Sequence, residues 1–473
     1  MDKKNILISL PNAFSIRAFY LNDIIKKLSD VANVSVLTDF ATDKNFLATY
    51  GYANVKLYKY CDYKNKNIHA KCLKFLEDVN AMRWNLFVTS HLDRQNYFFT
   101  HKKEKIEPIT LKYKIKKHII RFFSRSRFFI KMLRNIENYF FLKQHKNDNV
   151  KYYKDLFQNI KPDLVIATFP SIIKTIPLFK TSKLLDIPTF YYVLSHDNVT
   201  TKKNLTINFD KYFVWNKRNK NELLNQYLFI NEQNIEVCGP LSFDWHHNNK
   251  ISQVNRKSWK EKYNLPIDSK VVLIGTAVER TGAMEPYVLK KLLKNVKDNK
   301  INNKINFIVR LHPNDQINRW EKIINDHPEI PFIKSMSLKM ENGGYISSKD
   351  DIDSLTDDIL NSEIIITAFS SIALDACRLN KPSIFLGFDE QSGSVNDNLC
   401  KEFFYREHIY PQVSNGGVKV ARSIEDLTTH INDVIDNNNI NFNEIKNTAK
   451  AYDPFLDNRA SERLIKHIDR FLN

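Results

Sequence analysis

Two segments of this chain carry residues of the types and spacing that phosphate chemistry needs. In FIVRLHPND, residues 307–315, an apolar β-prone run ends on Arg310, and His312 and Pro313 follow at once. A strand-end histidine beside an arginine can donate hydrogen bonds to phosphate oxygens. In IIITAFSSIALDACRLNKPSIFL, residues 364–386, a second such run turns through Phe369, Ser370 and Ser371 straight into a helical segment that reaches Arg378. The turn gathers two hydroxyls and the first backbone N–H groups of the helix at one point, where the helix dipole favours an anion. Asp375 lies one turn beyond Ser371 on the same face, placed to accept hydrogen bonds from a ribose. Each feature also has a plainer role. Serine pairs cap helices, strand-end histidines cap or fill cores, and helix acids are often only solvated.

For these residues to meet, strand ends must lie side by side. Short β-prone runs alternate with helical stretches through both halves, the pattern of a parallel sheet covered by helices on both faces. The first half predicts strands near 6–9, 34–37, 55–58, 86–89, 164–168, 189–194 and 212–215. The second restarts with strands near 271–275, 307–311, 332–334, 364–367 and 384–386. Open sheets of this kind bind ligands beyond the carboxyl ends of their strands, which is where both segments fall. Between the halves lies GPLSFDWHHNNKISQVNRKSWKEKYNLP, polar, basic and barely periodic, which reads as the connection. A chain of 473 residues exceeds what one core usually holds, so two Rossmann-like domains are expected. The division implied is 1–245, 246–452 and a closing segment 453–473, in which Leu464, Ile465, Ile468, Phe471 and Leu472 share one helical face.

Composition narrows the function classes. Hydrophobic residues make up 43% and charged residues 26%, which describes a globular protein. No apolar run approaches the roughly 20 residues of a membrane span, and the opening MDKKNILISLPNAF reads as a first strand rather than a signal peptide. Five scattered cysteines without a CxxC pair indicate neither a disulfide framework nor a zinc site, so a cytoplasmic location is expected. The net charge of +18 calls for an anionic partner: a phosphorylated substrate, an anionic lipid surface or nucleic acid. Residues 111–146 concentrate that charge, with eleven Lys and Arg against the single acid Glu137, interleaved with Ile119, Ile120, Phe122, Phe123, Phe128 and Phe129. A basic amphipathic helix or helical pair of this kind suits peripheral contact with the anionic inner face of the cytoplasmic membrane. The alternative is a helix with a solvated basic face. The concentration of charge in residues 111–146 and the lack of a recognised nucleic-acid-binding module argue against nucleic acid.

Four segments carry a resemblance to a known family: the strand-end RLHP, SSIALDACRLNKP, VCGPLSFD at 237–244 and DPFLDNRASERLIKHI at 453–468. Together they resemble glycosyltransferases of the GT-B fold that build bacterial capsule and O-antigen and, more distantly, the CDP-glycerol glycerophosphotransferases of teichoic acid synthesis. The resemblance implies a donor nucleotide in the C-terminal domain, an acceptor in the N-terminal domain and a final helix crossing back to the latter. It makes Arg310, His312, Ser370 and Ser371 donor-phosphate contacts, for a CMP- or UDP-activated sugar. YYVLSHDNVTTKKNL, residues 191–205, is similar to the SWDN-type stretch of such proteins, with His196 where tryptophan is usual. It makes Asp197, or His196, the base that takes the acceptor hydroxyl proton; the alternative for Asp197 is a turn former. PNAFSIRAFYLND after the first strand also resembles the family and points Ser15 and Arg17 at acceptor or donor phosphate. GTAVERTGAMEP, residues 275–286, brings Glu279, Arg280 and Glu285 to the donor side by position alone. Asp351-Ile352-Asp353 spells a DxD metal motif, but Ser and Asp at a helix start satisfy N–H groups instead, so metal-independent transfer is expected. The expected function is sugar transfer to a surface-glycan or lipid-linked acceptor without a cofactor. CDP-polyol phosphate transfer of the teichoic acid type, a nucleotide-sugar epimerase and a nucleic-acid-binding protein are the alternatives.

Overall fold

The computed structural model describes residues 3–64, 67–88, 111–202, 205–248, 255–302, 304–341, 345–388, 390–391, 394–395, 408–436 and 439–473. The chain divides into two compact units. The first comprises Met1–Ser242 with Lys339–Ile346 and Arg459–Asn473; the second comprises Phe243–Leu338 with Ser347–Asn458.

In the first unit seven strands, β1 (Asn5–Ser9), β2 (Asn33–Leu37), β3 (Lys56–Tyr58), β4 (Leu164–Ala167), β5 (Thr189–Tyr192), β6 (Lys211–Val214) and β7 (Ile235–Val237), form one sheet in the order β3-β2-β1-β4-β5-β6-β7. Every pair is parallel. β4 and β5 are buried at each position, so they read as continuous apolar runs rather than alternating ones. The closing helix Ala460–Leu472 belongs to this unit. It buries Leu464 and Ile468, sets Phe471 edge-on to Phe190 with centroids 4.9 Å apart, and donates from Arg463 Nε to the Cys238 carbonyl at 2.7 Å.

In the second unit β8 (Lys270–Gly275), β9 (Ile305–Arg310), β10 (Phe332–Ile333), β11 (Ile364–Thr367), β12 (Ser383–Leu386) and β13 (Val418–Ala421) form a sheet in the order β10-β9-β8-β11-β12-β13. Strand order reverses between β8 and β11, which pair in parallel with Gly275 opposite Thr367. A Rossmann-like sheet opens its ligand crevice at this point. Gly275 is needed here, because a Cβ on it would stand 2.7 Å from the Ile372 side chain. The missing side chain lets the helix after β11 pack against β8.

Three expectations change. The strand near 86–89 is absent: Leu86, Phe87 and Val88 end the helix Asn67–Val88, and residue 89 lies outside the described residues. A short apolar run has the same appearance in a strand and at a helix end, and here the length of the helix decides it. Leu73, Leu76 and Val79 are buried along that helix, with Val79 packed against Ile120 and Ile130. The connecting segment is not irregular, since it contains the helices Leu241–Asn248 and Arg256–Lys262. Strands β7 and β13 were not anticipated. β7 is three residues long, and β13, VKVA, follows a glycine pair with only two fully buried positions.

Residues 111–146 form the helices Leu111–Phe123 and Arg127–His145. The side chains of 111–114, 116 and 117, and with them Lys112, Lys114, Lys116 and Lys117, lie outside the described residues. Glu137, the one acid of the segment, points inward and is fully buried between Lys180 Nζ at 2.7 Å and His69 Nε2 at 2.5 Å.

Candidate functional site

In the second unit the loops after β8, β9 and β11 leave the sheet at its carboxyl edge, around the point of reversal. The His312 N–H donates to Thr276 Oγ1 at 2.9 Å, tying the β9 loop to the β8 loop. The Asn314 N–H donates to His312 Nδ1 at 3.1 Å. Nδ1 therefore accepts, and the neutral ring carries its proton on Nε2. Burial holds the His312 pKa below the ordinary value, against a smaller upward pull from Asp315. His312 thus presents a neutral N–H donor.

Beneath it lies an ion network. Thr276 Oγ1 donates to Asp315 Oδ2 at 2.7 Å; Arg319 grips Asp315 from Nε at 2.7 Å and reaches Glu285 Oε2 from Nη2 at 2.7 Å. Glu285 also accepts from the Ala277 N–H at 2.9 Å, and Trp320 Nε1 donates to Asp315 at 3.2 Å. Burial by itself would raise the Asp315 carboxyl, yet the donors Arg319, Thr276 and Trp320 hold it below its usual range. Burial pushes the Glu285 carboxyl upward while Arg319 draws it back. Glu285 is therefore not a donor contact. It is 1% exposed and locks the β8 loop through Ala277. The Arg280 side chain lies outside the described residues.

Arg310 requires the same correction. The residue is 6% exposed, its guanidinium donating from Nη1 to Asp358 at 2.6 Å and to Ser354 at 3.1 Å, and from Nη2 to Asp351 Oδ1 at 2.8 Å. A side chain pointing off the last residue of a strand can face the helix layer as readily as the loop edge, and here the acids of the Lys349–Asn361 helix capture it. Asp351 accepts from Arg310, from Ser335 Oγ at 2.8 Å and from the Met336 N–H at 2.9 Å, while Ser348 caps the helix.

After β11 the chain turns at Phe369, whose φ of 58° is left-handed and strained for a residue other than glycine. The helix Ile372–Arg378 follows at once. Ser370 is half-buried and Ser371 exposed, and neither hydroxyl caps the helix. Asp375 stands half-buried in the first turn, its N–H given to the Ser371 carbonyl at 3.2 Å.

In the first unit the loop after β5 carries the other candidates. Asp197 accepts from Ser195 Oγ at 2.5 Å and Thr201 Oγ1 at 3.0 Å, and its carbonyl accepts from the N–H groups of Thr200 and Thr201. The turn-forming role is thus real, and the carboxylate is half-buried. His196 lies against Trp215, centroids 5.6 Å apart, and its carbonyl accepts from Asn219 Nδ2 at 3.2 Å. Asn219 also donates to Glu222 Oε2 at 2.7 Å. Burial pushes the Glu222 carboxyl up to about 7, with Arg218 and Asn219 drawing it down and the Asp197 charge adding to the rise. Ser15 is corrected as well: fully buried, its hydroxyl donates to the Asn12 carbonyl at 2.8 Å and accepts the Asn12 N–H, completing the cap of helix Ala13–Tyr20. Arg17 is half-buried, with its guanidinium 4.9 Å from the Phe14 ring centroid.

Sequence reasoning missed Thr276, Asp315, Arg319, Asn219 and Glu222. The i,i+4 charge pairs Asp315–Arg319 and Arg218–Glu222 were the available signals; Thr276 and Asn219 are ordinary polar residues until the fold buries them.

Comparison with known proteins places this geometry. Solved structures align along nearly the whole chain. Staphylococcus aureus MnaA in its UDP co-structure gives a TM-score of 0.54 at 15% identity, covering 100% of this chain and 97% of its own. The UDP-GlcNAc 2-epimerase of Methanocaldococcus jannaschii gives 0.55 at 13%, covering 98% and 99%. A glycosyltransferase from Rickettsia africae gives 0.52 at 11%, covering 100% of both chains. At such identities the likeness speaks for the fold, the two parallel-sheet domains of GT-B architecture. No curated protein matches the chain. The family model of CDP-glycerol:poly(glycerophosphate) glycerophosphotransferase matches residues 191–470, from the strand that carries the Asp197 loop to the closing helix. That span includes His312, the serine turn and their supporting network, so the chain belongs to this glycerophosphotransferase family and is a transferase of GT-B type.

Proposed function

We propose that the protein moves a group from a nucleotide-activated donor to a hydroxyl of a growing bacterial surface glycan, such as capsule, O-antigen or lipopolysaccharide, at the inner face of the cytoplasmic membrane. The observation that carries the reading is the neutral His312 donor, fixed from below, at the same carboxyl edge of the sheet as a strained turn whose serine hydroxyls do not cap the helix that follows. The second unit then holds the donor phosphates through His312, Ser370 and Ser371, with Asp375 toward the ribose. Asp197 takes the acceptor proton, with His196 as its neighbour. In sugar transfer the acceptor oxygen bonds to the anomeric carbon as the bond to the nucleotide phosphate breaks; His312 Nε2–H and the serines stabilise the departing charge. The Asp351 carboxylate is engaged by Arg310 and Ser335, which supports transfer without a DxD-bound metal.

The family match favours a second reading equally. The acceptor oxygen would attack the alcohol-side phosphorus of a CDP-polyol and release CMP, using the same phosphate donors. Peripheral membrane contact is supported by the exposed Phe122, Phe128, Ile136 and Tyr139 on the two basic helices. Incubating full-length protein and an acceptor polymer separately with CDP-glycerol, a CMP-sugar or a UDP-sugar, with and without EDTA, separates the readings by which donor is consumed. Consumption of a single donor class, unchanged by EDTA, is expected; a strict metal requirement would overturn the metal-independent mechanism.

A further inference from the structure

At the amino ends of the strands, away from the edge that carries Asp197, the first unit contains a cavity of about 700 Å³. It lies among the helices Arg127–His145 and Ile176–Leu184 and the segments leading into β6 and β7. Five cations line it, Arg127, Lys131, Arg134, Lys180 and Lys183, against one carboxylate, Asp210. Two of the five are neutralised. Lys180 is held by Glu137 at 2.7 Å, and Lys183 by both oxygens of Asp210 at 2.7 Å. Glu137 bonds Lys180 and His69, and its charge acts on Arg134 without forming an ion pair with it.

Arg134 is the unusual member. Its guanidinium sits 3.4 Å from the Phe229 ring centroid and gives one hydrogen bond, from Nη2 to the Thr206 carbonyl at 3.1 Å. Among the described residues it pairs with no carboxylate, and burial lowers its pKa to about 10. Arg134 is half-buried, and a guanidinium drawn partly out of water favours an anion or further acceptors. Its planar fork matches a phosphate. The rest of the wall is mixed: Ile130, Leu184, Phe209 and Leu228 give it an apolar part, and several asparagines and Thr206 a polar one. Arg127 and Lys131 are exposed beside it, and the same helix carries Phe128, 71% exposed, and Tyr139, 59% exposed. Cations around a cavity whose wall is partly apolar, next to exposed aromatics, suit a phosphate joined to an acyl or prenyl chain.

We propose that this cavity binds the phosphate head group of an anionic membrane lipid, anchored by Arg134 with Arg127 and Lys131 beside it. The proposal rests on the membrane contact of the preceding section and gives that contact a defined lipid site.

Calorimetric titration of the full-length protein with dihexanoyl phosphatidic acid, below its micelle concentration, tests it against dihexanoyl phosphatidylcholine, inorganic pyrophosphate and a thymidine oligonucleotide. Binding of phosphatidic acid at least ~10-fold tighter than any of the others is expected, with a loss of about tenfold or more in Arg134→Gln, the scale of one charged hydrogen bond. The exposed pair Arg127→Gln/Lys131→Gln should weaken binding several-fold without touching the core, which keeps the test decisive if Arg134→Gln does not fold. Equal binding of phosphatidylcholine would make the cavity merely apolar. Equal binding of pyrophosphate would make it a free-phosphate site, and displacement of the lipid by the oligonucleotide would make it a nucleic-acid contact; each overturns the proposal. Vesicle co-sedimentation of Phe128→Ser/Tyr139→Ser separates the two layers. Loss of vesicle binding with short-chain phosphatidic acid binding retained supports both. Unchanged vesicle binding removes the membrane-contact reading while the titration still decides the cavity.

Discussion

The carboxyl-edge loops of the two sheets are supported in opposite ways. Beneath His312 the buried polar groups are matched to one another: Thr276 to Asp315, Asp315 to Arg319 and Trp320, Arg319 to Glu285, Glu285 to Ala277. Beneath the Asp197 loop they are not. Asn219 Oδ1, Gln226 Oε1 and Glu222 Oε1 are buried without a hydrogen bond, though Glu222 Oε1 has Arg218 Nε at 3.4 Å. A fully matched network fixes its loop in one arrangement, as a site for constant phosphate charge requires. An incompletely matched one leaves Glu222 near neutrality, where the local charge changes with pH. Under the proposed function the first arrangement would serve the donor phosphates and the second the proton transfer.

The sharpest way to break that contrast is Asp197→Asn. If the first unit handles the acceptor proton, turnover should fall on the order of 1000-fold, within the usual span for a lost general base. Nucleotide affinity by calorimetry should be unchanged, and an active Asp197→Asn enzyme would move the base elsewhere. Ser370→Glu/Ser371→Glu should do the converse, abolishing binding of CDP or UDP in a protein whose melting temperature is retained, because two carboxylates repel phosphate. Next is the distinction between two residues of one strand end. His312→Ala should cost about 100-fold in turnover, the scale of one preorganised donor. Arg310→Met should instead destabilise the fold by about 3–5 kcal/mol, as for a broken buried ion pair, and chemical denaturation would read it directly. A stable Arg310→Met protein with impaired nucleotide binding would restore Arg310 to the donor site.

The smallest effect concerns Glu222. Its folded pKa of about 7 lies above the unfolded value of 4.5, so the native state holds an extra proton between the two. Stability from this group is full below about pH 4.5 and declines as pH rises through about 7. Glu222→Gln should remove that decline, so its melting temperature should gain on wild type between pH 5 and 8. Parallel pH profiles for the two proteins would show that Glu222 is ionised throughout.

Much of the architecture was readable because it is local. Two series of short β-branched runs separated by helical stretches can hardly pack except as two parallel sheets, and those runs became β1, β2, β4, β8, β9 and β11 with shifts of one or two residues. The strand-end position of His312 and the turn at Ser370–Ser371 follow from the same periodicity. The span 86–89 failed because three apolar residues before a threonine have no period of their own. β7 and β13 failed because short edge strands bury too little to leave a pattern.

What the sequence by itself determined is therefore which loops carry the candidate residues: strand ends are where backbone groups and polar side chains escape the sheet. Tertiary structure alone decided which of their side chains are free to act. Arg310, Glu285 and Ser15 look as available as His312 in one dimension. Yet Asp358, Arg319 and Asn12 bind them in three, because a buried charge or hydroxyl takes the nearest partner rather than remain unpaired. Those partners come from other turns and helices, as far as 48 residues away for Arg310 and Asp358, and no spacing rule announces them.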